Sequence, residues 1–480
     1  MMQKTFFSNL ALMVLLNLLV KPLAIFGIDA TVQNRVGAEA YGIYFALLNF
    51  SVLFNILLDF GINNFTTKNV AQSPKAASKY VGKILTFRFV LFFFYALVSY
   101  TIALALGWNA HELYLLSFLV FNQFLITLIA FVRSYFGGFL LFKTEAFIGV
   151  LDRILLIGIC GALLYFPITT QAFSIEWFIW IQTICYGLTL IVAFVLLFIR
   201  LGVPRLSYKP AFSYAIIRKS LPYALLILLM MIYSRVDSVM IERMHVHGKM
   251  QAGYYAQGFR LLSAFFMFAM LFSNLLFPLF SRMFKEKMDV LPLMRASAMV
   301  LIGASIYVAV ICYFNSSYIL GLIYTADIQA SDLSFQLLMW SFIGMCSTVI
   351  FGTLLTAKGE LLFLNISSAL GILVNFALNF FLIPEYGANG AAVATLITQS
   401  LVSIVQFIYC LYTLRLHFSI RIAAQFTLFS AALVVFCYFI RAETPLMFIS
   451  ILLVGLLFLF AFRLVDIRAI SKIMRGSGEE

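Results

Sequence analysis

Residues 179–209 read IWIQTICYGLTLIVAFVLLFIRLGVPRLSYK, an uncharged run from Ile179 to Ile199 followed by Arg200, Arg205 and Lys209 in a stretch broken by Pro204. A bilayer core is crossed by roughly 20 apolar residues in a helix, because no water is present there to take up a backbone N–H or C=O. The apolar run therefore spells a membrane span. The basic stretch after it spells a connection on the cytoplasmic side, where Lys and Arg accumulate.

The same alternation runs outward in both directions through all 480 residues. About fourteen runs have the length of a span, centred near Leu16, Leu53, Phe93, Leu125, Leu156, Thr189, Leu229, Phe268, Ile306, Phe342, Leu373, Ile404, Val434 and Leu456. Basic residues occupy every second connection: Lys68, Lys75, Lys79 and Lys83; Arg200, Arg205, Lys209, Arg218 and Lys219; Arg282, Lys285, Lys287 and Arg295. The tail adds Arg463, Arg468, Lys472 and Arg475, whereas Arg35, Arg243, Lys249 and Arg441 fall on the opposite side. With Lys4 inside, an even number of spans places both termini in the cytoplasm.

Composition agrees with this reading. With 64% hydrophobic residues, 11% charged and a mean hydropathy of +1.04, the chain has too little polar surface for a water-soluble globule. Its net charge of +13 is dispersed over short cytoplasmic connections, where an anionic leaflet is the expected neighbour, so nucleic acid is not an expected partner. The first span runs long, contains Lys21-Pro22 and has no small-residue cleavage site, as in an uncleaved first helix. The six cysteines, Cys160, Cys185, Cys312, Cys346, Cys410 and Cys437, lie in apolar runs without C-x-x-C pairing, so neither disulfides nor thiol metal sites are expected.

The longest connection, residues 200–215 with Pro204 and Pro210, divides the spans into six and eight. The expected organisation is a first lobe over 1–205 (spans 1–6), a second over 206–416 (spans 7–12), and spans 13–14 with a cytoplasmic tail over 417–480. Gly37-Ala-Glu-Ala-Tyr-Gly-Ile-Tyr44 opens the second span and Gln251-Ala-Gly-Tyr-Tyr-Ala-Gln257 the eighth, which reads as a repeated six-span unit in one orientation.

An ionised side chain at mid-membrane costs about 2.5 to 3.5 kcal/mol on insertion scales, so charges inside spans need a reason. Lys21 and Arg235 stand at similar depth before Gly42 and Gly253, and two cations facing one cleft would hold an anion such as a diphosphate. Arg153 and Arg260 are further candidates for that cationic cavity, or snorkel to the headgroups. Asp29, Asp59, Asp152 and Asp237 are candidates for ion pairs, helix caps or ion coupling. Among intramembrane amides, Asn49, Asn274 and Asn375 suit sugar hydroxyls, and amides also serve as helix-to-helix glue. Pro22, Pro222 and Pro278 allow bends, and Gly387-Ala-Asn-Gly-Ala-Ala-Val-Ala394 has the small-residue spacing of close helix packing.

Catalytic signatures are missing from the sequence: no H-E-x-x-H, no G-x-S-x-G, and no Lys-Ser/Thr after Gly253–Gly258 to make a phosphate loop. His245 and His247 read as solvated loop histidines. No catalytic residue, metal or organic cofactor is expected, and a transporter fits better than an enzyme.

Several stretches together carry a family resemblance. Asp59-Phe-Gly-Ile62 after Gly42-Ile-Tyr44, Arg235-Val-Asp-Ser-Val-Met240 before Gly253-Tyr-Tyr255, Phe277-Pro-Leu-Phe-Ser-Arg282, and Leu378-Asn-Phe-Phe-Leu-Ile-Pro-Glu-Tyr-Gly-Ala-Asn-Gly-Ala-Ala392 resemble, in order and spacing, the Wzx-type polysaccharide biosynthesis flippases of the MOP superfamily. The resemblance implies an all-α polytopic membrane protein of about 14 transmembrane helices, two six-helix lobes in a V around a cationic cavity plus two C-terminal helices. It implies a monomer in the bacterial inner membrane. That protein would carry an undecaprenyl-diphosphate-linked oligosaccharide, a repeat unit of O antigen, capsule or exopolysaccharide, from the cytoplasmic to the periplasmic leaflet by alternating access. Membrane lipids and the glycan polymerase and assembly proteins of the same pathway would be its partners, and H+, Na+ or the membrane potential its coupling source. Rival readings are a multidrug or cation exporter of the same superfamily and a membrane-embedded glycan polymerase or ligase. One departure stands out: Met240-Ile-Glu-Arg-Met-His continues charged where relatives commonly have Gly, which puts the role of Glu242 and Arg243 in question.

Overall fold

The computed structural model describes residues 19–72, 77–166, 171–414 and 420–464. The expectations for Lys4, Leu16, Lys75, Arg468, Lys472 and Arg475 lie outside the described residues. Among those described, all regular structure is helical: a π-helical turn Leu23–Asp29, then α1 (Ala30–Leu53), α2 (Ile56–Asp59), α3 (Ile62–Gln72), α4 (Ala77–Ala105), α5 (Ala110–Gly138), α6 (Phe142–Tyr165), α7 (Ile175–Leu201) and α8 (Pro210–Met244). The order continues with α9 (Gly248–Lys285), α10 (Leu291–Phe314), α11 (Ser316–Ile323), α12 (Ile328–Lys358), α13 (Leu361–Thr413), α14 (Ile420–Phe439) and α15 (Pro445–Ala461).

Eleven helical runs among the described residues are long and apolar enough to cross a membrane. The difference from the fourteen runs read in the sequence has a structural origin. Leu19–Leu53 and Leu361–Thr413 are each continuous in hydrogen bonding but broken in backbone direction, at Gly37 (φ 82°, ψ 167°) and Gly387 (φ 53°, ψ −124°), so each holds parts of two consecutive runs. The fourteenth run is α15, an apolar helix of 17 residues. The stretch Gly387–Ala394 is thus first a corner: Gln251 Oε1 accepts the Ala388 N–H at 2.9 Å, and a side chain at Gly387 would collide with that same carboxamide.

The chain divides into two compact units, Met1–Arg243 and Met244–Glu480. In the first, α5 is the central helix and packs against α1, α3, α4, α6 and α7. Its amino end is fixed by a capping box, in which Asn109 and Glu112 each accept the other's backbone N–H at 2.9 Å. In the second unit α12 holds the centre against α9, α10, α11 and α13. There α14 and α15 close on α10 through Ile306, Val310, Phe429, Leu433, Ile451 and Leu459. Large apolar side chains such as Phe93, Leu97, Ile199, Phe381 and Leu457 remain exposed, as lipid-facing residues must.

Two local irregularities were not expected. After α1 the second run breaks at residues 54–61, where Phe60 (φ 42°) and Gly61 (φ 77°) turn left-handed before α3. Arg88 of α4, 1% exposed, fills that break: it donates to Asp59 Oδ1 and Asn63 Oδ1 at 2.7 Å each and to the Leu58 carbonyl at 3.2 Å, and lies over the Phe131 ring. The other is the π-helical turn directly after Lys21-Pro22. A Pro lacks the N–H that continues an α-helical ladder, and a wider turn accommodates the gap.

The charged exit of the seventh run is also explained. Arg243 at the end of α8 donates to both oxygens of Glu242, to Glu112 Oε2 at 3.0 Å and to the Gly107 carbonyl, and it covers the Trp108 ring. Trp108 Nε1 in turn donates to Glu242 at 3.1 Å. Glu242 and Arg243 thus clamp α8 onto the connection between α4 and α5, and the boundary between the compact units falls directly after the clamp.

Candidate functional site

Inside the first unit, the π-helical turn, α5, α6 and α7 bring together charges far apart in sequence. Lys21 is half-buried just before the turn, and its electrostatic neighbours are Arg133 of α5 and Asp152 and Arg153 of α6. No carboxylate among the described residues lies within ion-pair distance of Lys21. Each neighbouring cation has a partner of its own: Arg133 Nη2 is 3.6 Å from Glu145 Oε1, and Arg153 Nε is 3.4 Å from Asp152 Oδ2. Among the described residues Lys21 therefore has no ion-pair partner of its own, and Asp152, already paired with Arg153, is its attractive neighbour.

Packing determines the position of each group. Gly149 on α6 leaves space for the Arg133 guanidinium, since a Cβ there would come within 2.9 Å of Cζ. Arg153, with its side chain 36% exposed, reaches across the Tyr186 ring of α7 at 5.9 Å from the centroid. Asp29, at the end of the π-helical turn, accepts the Tyr41 hydroxyl at 2.9 Å. Tyr41 meets Tyr44 edge to face, and Gln182 of α7 donates to the Tyr44 hydroxyl at 2.8 Å. The result is a polar seam of Lys, Arg, Asp, Tyr and Gln between apolar helices. A lone carboxylate or phosphate entering near Lys21 would find an ammonium and the exposed part of a guanidinium, the donors that phosphate oxygens use.

The other candidates occupy different places. Arg235 of α8 donates to Asn49 Oδ1 at 3.0 Å, while Asn49 donates to the Phe45 carbonyl, so the amide orients a guanidinium. Arg133 and Arg153 stand beside Lys21. Asp59 is the ion-pair partner of Arg88 and also accepts the Asn63 N–H at the start of α3, an ion pair and a cap at once. Asp237 is 2% exposed on α8. Arg260, Asn274 and Asn375 belong to the second unit: Arg260 is half-buried, Asn274 is exposed on α9, and Asn375 is fully buried, accepting from Asn379 at 3.1 Å within α13. The histidines form a surface pair in which the His247 N–H donates to His245 Nδ1, and burial together with the neighbouring ring holds His245 below the usual imidazole range. Among the described residues no group of three or more His, Cys, Asp or Glu could hold a metal ion.

Known proteins match this architecture. A solved structure of the lipid II flippase MurJ in an inward closed conformation superposes with a TM-score of 0.71 at 15% identity, covering 94% of this chain and 98% of its own. An inward-facing MATE family multidrug resistance transporter of the MOP superfamily gives 0.62 at 15% identity, covering 85% and 95%. A MOP superfamily transporter from Pyrococcus furiosus, described by the reversed polarity of its binding pocket, gives 0.55 at 13% identity, covering 85% and 94%. At such identities the likeness is one of fold. No curated protein sequence matches the chain. The family model described as polysaccharide biosynthesis protein matches residues 6–284, more than half of the length. The chain thus belongs to the polysaccharide biosynthesis protein family, built on the all-helical transporter fold of the MOP superfamily.

Proposed function

We propose that the protein is a flippase that moves an undecaprenyl-diphosphate-linked oligosaccharide from the cytoplasmic to the periplasmic leaflet of a bacterial inner membrane by alternating access. The observation that carries this reading is Lys21: a half-buried ammonium whose neighbours are two arginines and Asp152, with no carboxylate within ion-pair distance of it among the described residues. An unmatched cation within a span is costly, and an anionic cargo that visits it offsets the cost. A cationic drug would meet repulsion there, so the exporter reading fits less well. The diphosphate would engage Lys21 and Arg153, the isoprenoid would stay in lipid, and only the headgroup and glycan would cross inside the protein. Arg235 and Arg260 are secondary cationic contacts in this scheme, and both termini lie in the cytoplasm. Protons or sodium would couple through the carboxylates beside the arginines, Asp29 and Asp152 first.

The test is genetic. In cells whose surface glycan depends on this protein, Lys21→Ala and Arg153→Ala, present in the membrane at wild-type amount, should lose glycan display and accumulate lipid-linked repeat units in the cytoplasmic leaflet. Removing one charge-assisted phosphate contact should lower flux about tenfold or more. Normal display in both variants would overturn the assignment.

A further inference from the structure

A cavity of about 420 Å³ lies in the first unit where α6 ends and α7 begins, the end that the charge bias assigns to the outer face. Its walls are Tyr165, Phe166, Phe173 and Trp177, with Arg35 of α1 and Gln171 as the polar members. None of these residues belongs to the Lys21 cluster.

The walls are fixed in place. The Tyr165 hydroxyl donates to the Gly27 carbonyl and meets Thr31 Oγ1, both at 2.9 Å, which ties the end of α6 to the π-helical turn. Phe173 and Trp177 stand edge to face with centroids 6.4 Å apart. Arg35 donates through Nη2 to the Leu164 carbonyl at 3.2 Å, and its remaining N–H groups have no protein partner among the described residues. One bond orients the guanidinium while most of its donors stay available.

Aromatic rings are common at a membrane interface, where they anchor helices at headgroup level. An anchoring belt needs no concavity and no cation at its centre. Here the rings wall a hollow around a guanidinium and an amide, so the cavity offers flat apolar faces next to directed hydrogen-bonding groups. A pyranose has that same duality: C–H faces that stack on aromatic rings, and a rim of hydroxyls. A hydrocarbon chain would fill the volume but offer no acceptor to the Arg35 and Gln171 donors. A small anion would use Arg35 and leave four rings without purpose.

We propose that this cavity is a glycan-binding subsite at the outward end of the first unit, which receives the sugar portion of the cargo as it leaves. The subsite rests on the flippase reading for the identity of its ligand, yet it is separable from it. The full chain, reconstituted in nanodiscs, is titrated with the diphosphate-free oligosaccharide released by mild acid from the lipid-linked pool of the cell that encodes it. The readout is tryptophan fluorescence, to which Trp177 is one of four contributors. Wild-type protein should bind saturably, Arg35→Gln and Trp177→Ala should each bind about tenfold more weakly, and Lys21→Ala should bind as wild type. Because Arg35 is exposed, its replacement leaves the packed interior intact and guards against a folding artefact. Unchanged affinity in both Arg35→Gln and Trp177→Ala would overturn the subsite and leave the rings as an interface belt. Failure of wild-type protein to bind the oligosaccharide while it still translocates the intact lipid-linked form would overturn the subsite alone. Binding that depends on Arg35 and Trp177 in a protein that translocates nothing would uphold the cavity and count against the flippase reading instead.

Discussion

Arg88 is among the largest fully buried side chains of the molecule, and it is stable there because acceptors meet it on several sides: Asp59, Asn63 and the Leu58 carbonyl, with Phe131 beneath. Removing the guanidinium strands the Asp59 carboxylate at a helix break, and breaking a buried pair in this way costs on the order of 3 kcal/mol. Arg88→Ala should therefore lower the thermal unfolding midpoint clearly, and Arg88→Met with Asp59→Asn should recover much of the loss. The six buried cysteines supply the readout, since a thiol-reactive dye labels them only on unfolding. Lys21, Asp29, Asp152 and Arg153 were legible in the sequence as charges stranded in apolar runs. Arg88, Arg133 and Glu145 carry the same signal but lie within a few turns of basic connections, where charges are ordinary. Their partners come from other helices, which periodicity does not report. Arg35 read as an outer-loop cation, and only its ring of aromatic neighbours gives it a candidate task.

Helix length and apolar content were legible because a bilayer dictates both, whereas the irregularities inside helices were not. The π-helical turn at Leu23–Asp29 and the break at residues 54–61 are stabilised by tertiary partners, Tyr165 for the first and Arg88 for the second. The two corners at Gly37 and Gly387 were visible as glycines but not as corners. Their backbone angles belong to regions that other residues enter only at about 1 to 3 kcal/mol. Gly37 has open space around it, so Gly37→Ala should lose that backbone term and no more. Gly387→Ala adds a collision with Gln251 and disrupts the bond to Ala388, so its midpoint should fall further than that of Gly37→Ala. Equal shifts in the two variants would show that the Gln251 contact contributes nothing.

For the molecule as a whole, the distribution of Lys and Arg predicts the topology. Val246 is 90% exposed between α8 and α9, and Ser207 is exposed between α7 and α8. In intact cells Val246→Cys should react with an impermeant maleimide and Ser207→Cys should react only after the membrane is opened, against a background of buried native thiols. The opposite pattern would invert the orientation. The connection at residues 200–215 reads in the sequence as the lobe boundary; the division into compact units falls after Arg243, next to the Arg243–Glu242–Glu112 clamp that ties α8 to the first unit. Such a clamp assembles side chains from distant positions and leaves no periodic trace. If the proposed cargo is right, Lys21, which has no ion-pair partner among the described residues, is retained because a diphosphate visits it. The direct measurement is translocation by purified protein in proteoliposomes, scored as the fraction of an undecaprenyl-diphosphate oligosaccharide that becomes accessible to an impermeant sugar-oxidising reagent on the opposite leaflet. The account predicts translocation by wild-type protein, a loss of about tenfold or more in Lys21→Ala, and partial activity in Lys21→Arg, which restores the charge. Translocation by Lys21→Ala at the wild-type rate would contradict it.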